Sequence, residues 1–166
     1  MTVLYVDKFT YEQGDMYIVA SDEGIVYIGT PNMPFDEAEV WARKPFKGYC
    51  FEENKEKLWP YIEQLTAYFK RELTEFDVPI HVKGTPFQLA VWDALRELPY
   101  GTTVSYADIA QRIGNPKAVR AVGGAIGANP ILAIIPCHRV IGKNGQLTGF
   151  RSGLAMKEFL LELERA

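Results

Sequence analysis

The spacing of apolar residues changes near Gly84, and this change most restricts how the chain can fold. Before it, residues 16–20 and 25–29 are rich in β-branched and aromatic side chains and flank a Ser-Asp-Glu-Gly turn, which predicts a β-hairpin. Farther along, apolar residues recur at helical spacing from Leu58 to Phe69. The first part is therefore expected to be a sheet with a helix packed on it.

The second part has a helical pattern with clear start and stop signals. A capping box with a first-turn proline, Thr85-Pro86-Phe87-Gln88, precedes a stripe of apolar residues. Ser105 is placed to cap a second helix over residues 106–113, and Gly114-Asn115-Pro116 separates it from a third over 117–128. Two short helices joined by a glycine-containing turn are typical of a helix-turn-helix.

Charge is divided unevenly between the two parts. Residues 1–84 carry 15 acidic and 9 basic side chains, whereas residues 85–166 carry 6 and 9. From residue 109 to 157 there is no Asp or Glu, and seven cations occur: Arg112, Lys117, Arg120, Arg139, Lys143, Arg151 and Lys157. Such a pattern favours a phosphate-binding surface, with an ordinary solvated basic face as the alternative.

Composition and termini exclude several other classes. The chain has 166 residues, of which 48% are hydrophobic and 23% charged, as in soluble globular proteins. No apolar run approaches the ~18 residues of a membrane span, and the N-terminus lacks the basic and apolar regions of a signal peptide, so we expect a cytoplasmic protein. Cys50 and His81 cannot complete a four-ligand zinc site, and neither a metal nor a cofactor is expected.

A short apolar run, residues 131–135, predicts a strand that leads into Pro136-Cys137-His138-Arg139. The thiolate is the nucleophilic form of cysteine, and a neighbouring cation or base makes it accessible near neutral pH. Taken alone, Cys137 could be a small buried hydrophobe and His138 a hydrogen-bonded core histidine. A nucleophilic Cys137 requires the reduced state, which fits the expected compartment.

The predicted third helix is built mainly of small residues. Residues 121–128 include three glycines, each costing about 1 kcal/mol relative to alanine inside a helix. Small residues allow a helix backbone to approach a phosphate or enter the minor groove of DNA, with Arg120 as the one long side chain at its start. Tight packing against another helix is the alternative.

These motifs together resemble the O6-alkylguanine-DNA alkyltransferases. The resemblance covers the chain from about residue 85 to its end, in blocks that occur in the family's order. They are Phe87-Gln88 with Val91-Trp92, Pro99-x-Gly101, Ser105-Tyr106 with Ile109-Ala110, Asn115-Pro116 through Ala125, Asn129-Pro130 with Pro136 through Gly142, and Leu154-Ala155-x-Lys157-Glu158.

The resemblance implies an α/β protein of two domains. Residues 1–84 would form a ribonuclease H-like domain of sheet and helix, and residues 85–166 a helical, winged-helix-like DNA-binding domain. The implied activity is that of a methylated-DNA-protein-cysteine methyltransferase. Such a protein repairs O6-alkylguanine, and O4-alkylthymine, in double-stranded DNA by flipping the base and transferring the alkyl group irreversibly to itself, as a monomer.

The resemblance also implies roles for individual residues. Cys137 would accept the alkyl group, His138 would take the thiol proton through a water, and Glu164 would orient the histidine. Read without the family, Glu164 could equally be a charged residue at a helix end.

Further roles concern the DNA. Tyr106 would assist base rotation, Arg120 would fill the vacated stack, Gly123 and Gly124 would lie in the minor groove, and Asn129 would tie the turn before the cysteine. Alternatives are a core-edge position for Tyr106 and a plain helix C-cap for Asn129.

One block departs from the family. Phe150 and Arg151 occupy the substrate loop, where a tyrosine followed by small residues is usual, so the range of accepted alkyl groups stays open.

Two rival functions differ in class. An alkyltransferase-like protein binds the same lesion without repairing it but lacks the acceptor cysteine, so Cys137 argues against it. A helix-turn-helix transcription factor would leave both the small-residue helix and Pro-Cys-His-Arg unexplained.

Overall fold

The structure, a computed structural model, describes residues 2–142 and 153–165 and divides into two compact units, Met1–Lys83 and Gly84–Ala166. No helix within the described ranges is long and apolar enough to cross a membrane. In the first unit the elements are, in order, β1 (Thr2–Tyr11), β2 (Gly14–Ser21), β3 (Gly24–Ile28), α1 (Asp36–Ala42), β4 (Tyr49–Glu53) and α2 (Lys55–Phe69).

The four strands form one mixed sheet in the order β3-β2-β1-β4. The hairpin predicted from the sequence corresponds to β2 and β3, which pair antiparallel. Gly24, at its turn, has φ +156°, and a Cβ there would lie 2.7 Å from the carbonyl oxygen of Pro79, so only glycine fits without strain. The sheet is completed by β1, antiparallel to β2, and by β4, parallel to β1.

Strands β1 and β4 and helix α1 were not predicted, because their sequences lack a clean period. In β1 the alternation of buried Leu4 and Val6 breaks at Lys8 and Phe9, and three of the five residues of β4 are exposed. Helix α2 was predicted, and its side chains buried at helical spacing include Leu58 and Leu65. It packs against β1 and β2.

The second unit contains α3 (Pro86–Arg96), β5 (Val104–Ser105), α4 (Tyr106–Arg112), α5 (Val119–Gly127), a 3-10 turn (Cys137–Arg139), β6 (Val140–Ile141) and α6 (Leu154–Arg165). The predicted capping box at Thr85 forms, with the side chain of Thr85 accepting from the backbone N–H of Gln88. Ser105 caps α4 as predicted: its side chain accepts from the N–H of Asp108, and Asp108 makes this cap a second capping box. These local signals set where α3 and α4 begin.

Helices α3, α4 and α5 pack against one another. Buried Trp92 of α3 donates its indole N–H to the carbonyl oxygen of Ala125 in α5, at 2.9 Å. Strands β5 and β6 pair in parallel, with Ser105 opposite Ile141. This pairing joins the start of α4 to the segment that follows the cysteine, while α6 packs against the 3-10 turn itself.

The strand predicted for residues 131–135 is wrong. This segment is buried but turns on itself: the N–H of Ile135 donates to the carbonyl of Ile131, and Ala133 has φ +68°. A buried backbone must satisfy its polar groups, and the N–H groups of Ile134 and Ile135 do so through local turns. Cys137 consequently begins a 3-10 turn instead of ending a strand.

Candidate active site

Cys137 is a nearly buried thiol held by an asparagine. Its side chain is 4% exposed, and the Asn129 amide donates to its Sγ over 3.0 Å and to the carbonyl of Ile135 over 2.9 Å. The Asn129 carbonyl oxygen accepts from the N–H of Ile131. Asn129, just after α5, therefore braces the loop and contacts the sulfur, which is more than the plain helix cap considered from the sequence.

His138 and Glu164 meet as a buried pair. The imidazole Nε2 lies 2.6 Å from a carboxylate oxygen of Glu164, and neither side chain is more than 2% exposed. Burial lowers the pKa of His138, while the hydrogen bond and charge of Glu164 act against that lowering. A neutral imidazole that donates Nε2–H to the carboxylate carries its lone pair on Nδ1, the atom that can then accept a proton.

Arg139 completes this pair, a role that the sequence did not indicate. Its guanidinium makes two bonds of 2.9 Å to the two carboxylate oxygens of Glu164 and one of 2.6 Å to the carbonyl of Leu98. Its expected position on a phosphate-binding surface is wrong, because the side chain is buried against Glu164. The fork of Arg139 holds the carboxylate in one orientation.

Glu164 receives one further bond, from the backbone of the loop before α4. The N–H of Gly101 donates to its Oε1 over 3.1 Å. Gly101 has φ +77°, a left-handed conformation that favours glycine, and a Cβ there would lie 3.2 Å from the backbone oxygen of Glu164. The glycine of the Pro99-x-Gly101 block thus serves the carboxylate of the site.

Lys157 is also misplaced by the sequence analysis. It was expected to face phosphate, yet its side chain on α6 is fully buried. Its Nζ lies 6.0 Å from the ring centroid of Tyr106. Burial lowers the pKa of Lys157, and the negative charge of Cys137 raises it. The tertiary structure therefore brings Lys157 close to Tyr106 and within the electrostatic influence of Cys137.

Helix α5 presents a bare face to the outside. Arg120 and Gly124 are exposed, and a Cβ added at Gly124 or Gly127 would meet no other atom of the described residues within 4 Å. Tight helix packing therefore does not account for these two glycines. Gly123 is half-buried, and its Cβ would stand 4.0 Å from the ring of half-buried Tyr106.

The sequence analysis also named a substrate loop and two residues that could not complete a zinc site. Phe150 and Arg151 lie outside the described residues. Over residues 2–142 and 153–165 no group of three or more His, Cys, Asp or Glu side chains could hold a metal ion. Cys50 is exposed, and His81 contacts the hydroxyl of Ser21 at 2.6 Å.

Comparison with known protein families covers almost the whole chain. The family described as 6-O-methylguanine DNA methyltransferase, ribonuclease-like domain, matches residues 4–82, and the DNA binding domain of the same name matches residues 86–166. The chain is similar to the inducible methylated-DNA–protein-cysteine methyltransferase of Bacillus subtilis, at 51% identity over 98% of this chain and 90% of that protein. A Methanosarcina acetivorans protein of the same name is 45% identical over 97% and 98%.

Solved structures show the same architecture. The O6-methylguanine methyltransferase of Mycobacterium tuberculosis superposes with a TM-score of 0.85 at 38% identity, covering 98% of this chain and 93% of that one. The same protein in complex with DNA gives a TM-score of 0.80 at 37% identity, covering 98% and 92%. The predicted two-domain α/β fold is thereby confirmed. The predicted family is confirmed as well: the chain belongs to the methylated-DNA–protein-cysteine methyltransferases, which repair DNA by transferring an alkyl group to a cysteine of the protein itself.

Proposed function

We propose that Cys137 is the acceptor, and that it takes the alkyl group from O6-alkylguanine, and from O4-alkylthymine, in double-stranded DNA. The observation that carries this assignment is the cluster around the thiol: Asn129 on the sulfur and a buried His138–Glu164 pair on the next residue. Exposed Cys50 lies in the other unit and has no comparable setting.

The chemistry balances without a cofactor. The thiol proton passes to Nδ1 of His138 through a bridging water, as the family resemblance implies, and Glu164 stabilises the resulting imidazolium. The sulfur forms a bond to the alkyl carbon while the bond from that carbon to guanine O6 breaks. The guanine takes up one proton, so the net change replaces hydrogen by alkyl on sulfur. A thioether has no good leaving group, which makes the transfer irreversible and limits it to one event per molecule.

The target base must leave the duplex before this can happen. An alkyl group on O6 lies inside the stack, and rotating the nucleotide out costs a few kcal/mol. The small-residue face of α5, with exposed Gly124 and half-buried Gly123, suits close approach to the minor groove, and exposed Arg120 at its start is suited to fill the gap. Tyr106, at the start of α4, would assist the rotation and contact the flipped base.

We also propose that the protein acts as a cytoplasmic monomer on DNA, where exposed Arg112 and Lys117 add phosphate contacts. A binding-only alkyltransferase-like protein is the rival, and the acceptor cysteine in its buried, contacted position supports repair over binding alone.

Intact-mass measurement after incubation with a duplex containing O6-methylguanine tests the proposal. We expect one added methyl per protein, mapped to Cys137, with Cys50→Ser behaving as the unaltered protein. Cys137→Ser is expected to bind the duplex without accepting methyl, because a serine hydroxyl has a far higher pKa than a thiol. Methyl on Cys50, or several equivalents repaired per protein, would contradict the assignment.

A further inference from the structure

Four exposed cations gather at one place in the first unit, whose overall charge is negative. Residues 40–51 contain no Asp or Glu but carry Arg43, Lys44 and Lys47, and Lys83 joins them from farther along the chain. These four residues together form the basic patch. Residues 1–84 as a whole carry 15 acidic and 9 basic side chains, so the patch opposes the charge of its own unit.

The tertiary structure brings Lys83 to the other members of the basic patch. Its Nζ donates to the backbone carbonyl of Pro45 over 3.3 Å and lies 4.5 Å from the ring centroid of Phe46. Phe46 is 2% exposed and belongs to the hydrophobic core of the unit. Lys83 is therefore held against the anchored turn that bears the other three cations.

The charges of the basic patch are not neutralised within the part of the chain that the structure describes. Over residues 2–142 and 153–165 none of its four members forms an ion pair with a carboxylate, whereas Lys8 and Lys57 of the same unit pair with Asp15 and Asp22. Like charges held close together repel each other, so the cluster costs free energy in the absence of an anion. The arrangement favours an anionic partner from outside the unit.

The end of α1 explains only one of these cations. Arg43 is the C-cap residue of α1, and a cation at a helix C-terminus interacts favourably with the helix dipole. This effect falls off within the last turn, so it does not account for Lys47 or Lys83. A structural role at the helix end is thus the alternative to a binding role for Arg43 alone.

Duplex DNA is the anion that fits the basic patch. Several exposed cations suit a partner with phosphates spaced along its length, and the family to which the chain belongs acts on DNA. Lys83 directly precedes the second unit, which begins at Gly84 and matches the family's DNA binding domain over residues 86–166. The patch is tethered to that domain, so DNA bound there is present near the patch at a high effective concentration.

We propose that the basic patch of the first unit binds phosphates of the duplex that the second unit holds. This inference goes beyond the proposed function, which assigned the phosphate contacts to the second unit, and it does not depend on Cys137 as the acceptor. Phosphate contacts carry no sequence information. The patch therefore adds affinity equally for damaged and undamaged duplex and takes no part in the chemistry.

The test is the salt dependence of binding to an undamaged duplex, measured by fluorescence anisotropy with the full chain. Each phosphate contact contributes about 0.9 to the slope of log affinity against log salt. The double variant Lys44→Gln, Lys47→Gln should therefore lose about two units of slope. Its loss of affinity relative to the parent should be roughly tenfold larger at about 50 mM salt than at about 200 mM.

Matched variants separate the patch from net charge. Lys55→Gln with Lys70→Gln removes two exposed cations of the same unit outside the patch and should leave the slope unchanged. Lys83→Gln alone should lower the slope by about one unit, and Lys83→Arg should keep it, because the charge remains. The patch variants should react with free O6-alkylguanine base at the parent rate.

A parental salt slope in Lys44→Gln, Lys47→Gln would overturn the proposal, as would an equal loss of slope in Lys55→Gln, Lys70→Gln. An affinity lowered by one factor at every salt concentration would also contradict it, because a lost phosphate contact must change the slope. Methyl transfer to Cys137 is a separate readout. Its absence in the parent would refute the proposed function, while the salt slopes would still decide the role of the patch.

Discussion

Replacing Arg139 by methionine should destabilise the protein strongly. The change leaves the Glu164 carboxylate, 2% exposed, without two of its hydrogen-bond donors, and the carbonyl of Leu98 without one. Removing one partner of a buried ion pair costs about 3–5 kcal/mol, which is a large part of the 5–15 kcal/mol that typically separates folded from unfolded domains. Urea unfolding followed by tryptophan fluorescence measures this loss.

A matched control and a double variant sharpen the measurement. Arg165, which like Glu164 lies on α6, pairs with Glu162 on the surface, and both side chains are more than half exposed. Arg165→Met should therefore reduce the free energy of unfolding by less than about 1 kcal/mol. Combining Arg139→Met with Glu164→Gln removes both charges and should cost less than the sum of the two single changes.

The same variant has a kinetic consequence. The charge of Arg139 lowers the pKa of His138, so its removal should raise that pKa. The acid limb of the repair rate should then lie at higher pH in Arg139→Met, because the imidazole holds its proton to higher pH and cannot act as a base. A loss of stability no larger than that of Arg165→Met would refute the reasoning, as would additive single changes or an acid limb that stays in place.

Three other predictions concern the DNA-binding face and the buried histidine. If Arg120 fills the vacated stack, Arg120→Ala should repair duplex DNA much more slowly yet react with free O6-alkylguanine base at nearly the parent rate; equal losses would place Arg120 in the chemistry or the fold. Gly124→Ala should raise the melting temperature, because alanine is about 1 kcal/mol more favourable than glycine inside a helix and its Cβ would contact no other described residue. The same change should weaken binding to duplex DNA. Unchanged binding would show that this face of α5 does not contact DNA. The pKa of His138 is lowered in the folded state, so the neutral histidine contributes its full stabilisation above the unfolded pKa near 6.5 and loses it as the pH falls below that value. His138→Gln should therefore flatten the slope of the free energy of unfolding, measured with urea, below pH 6.5. An equal slope in the variant and the parent would contradict this prediction.

Local patterns were sufficient for much of the second unit. The capping box at Thr85 and the helix cap at Ser105 form as predicted, because a cap depends on residues three positions apart. In the first unit, helix α2 also follows its predicted apolar spacing.

The strands of the first unit were harder to predict. Strands β1 and β4 pair in parallel through residues about 47 positions apart, and neither strand has a clean alternation of its own.

For the candidate site, the sequence predicted the residues better than their arrangement. The residues proposed to react, Cys137, His138 and Glu164, were recognisable in the chain through the family resemblance. Their geometry was not, because residues 131–135 look like a strand and instead form a buried turn braced by Asn129.

By itself the sequence determined the helices with local caps and the family. The domain boundary near Gly84 and the residues proposed for alkyl transfer stay predictions made from it. The tertiary structure alone decided where the cations go. Arg139 and Lys157 belong to a run of residues without acidic neighbours, which predicts a phosphate-facing surface, yet both are buried. The cause is long-range: Glu164 and Tyr106 lie 25 and 51 residues away along the chain and become neighbours of these cations only when α6 packs against the 3-10 turn. Burial and charge pairing are properties of the folded contacts, and no local pattern encodes them.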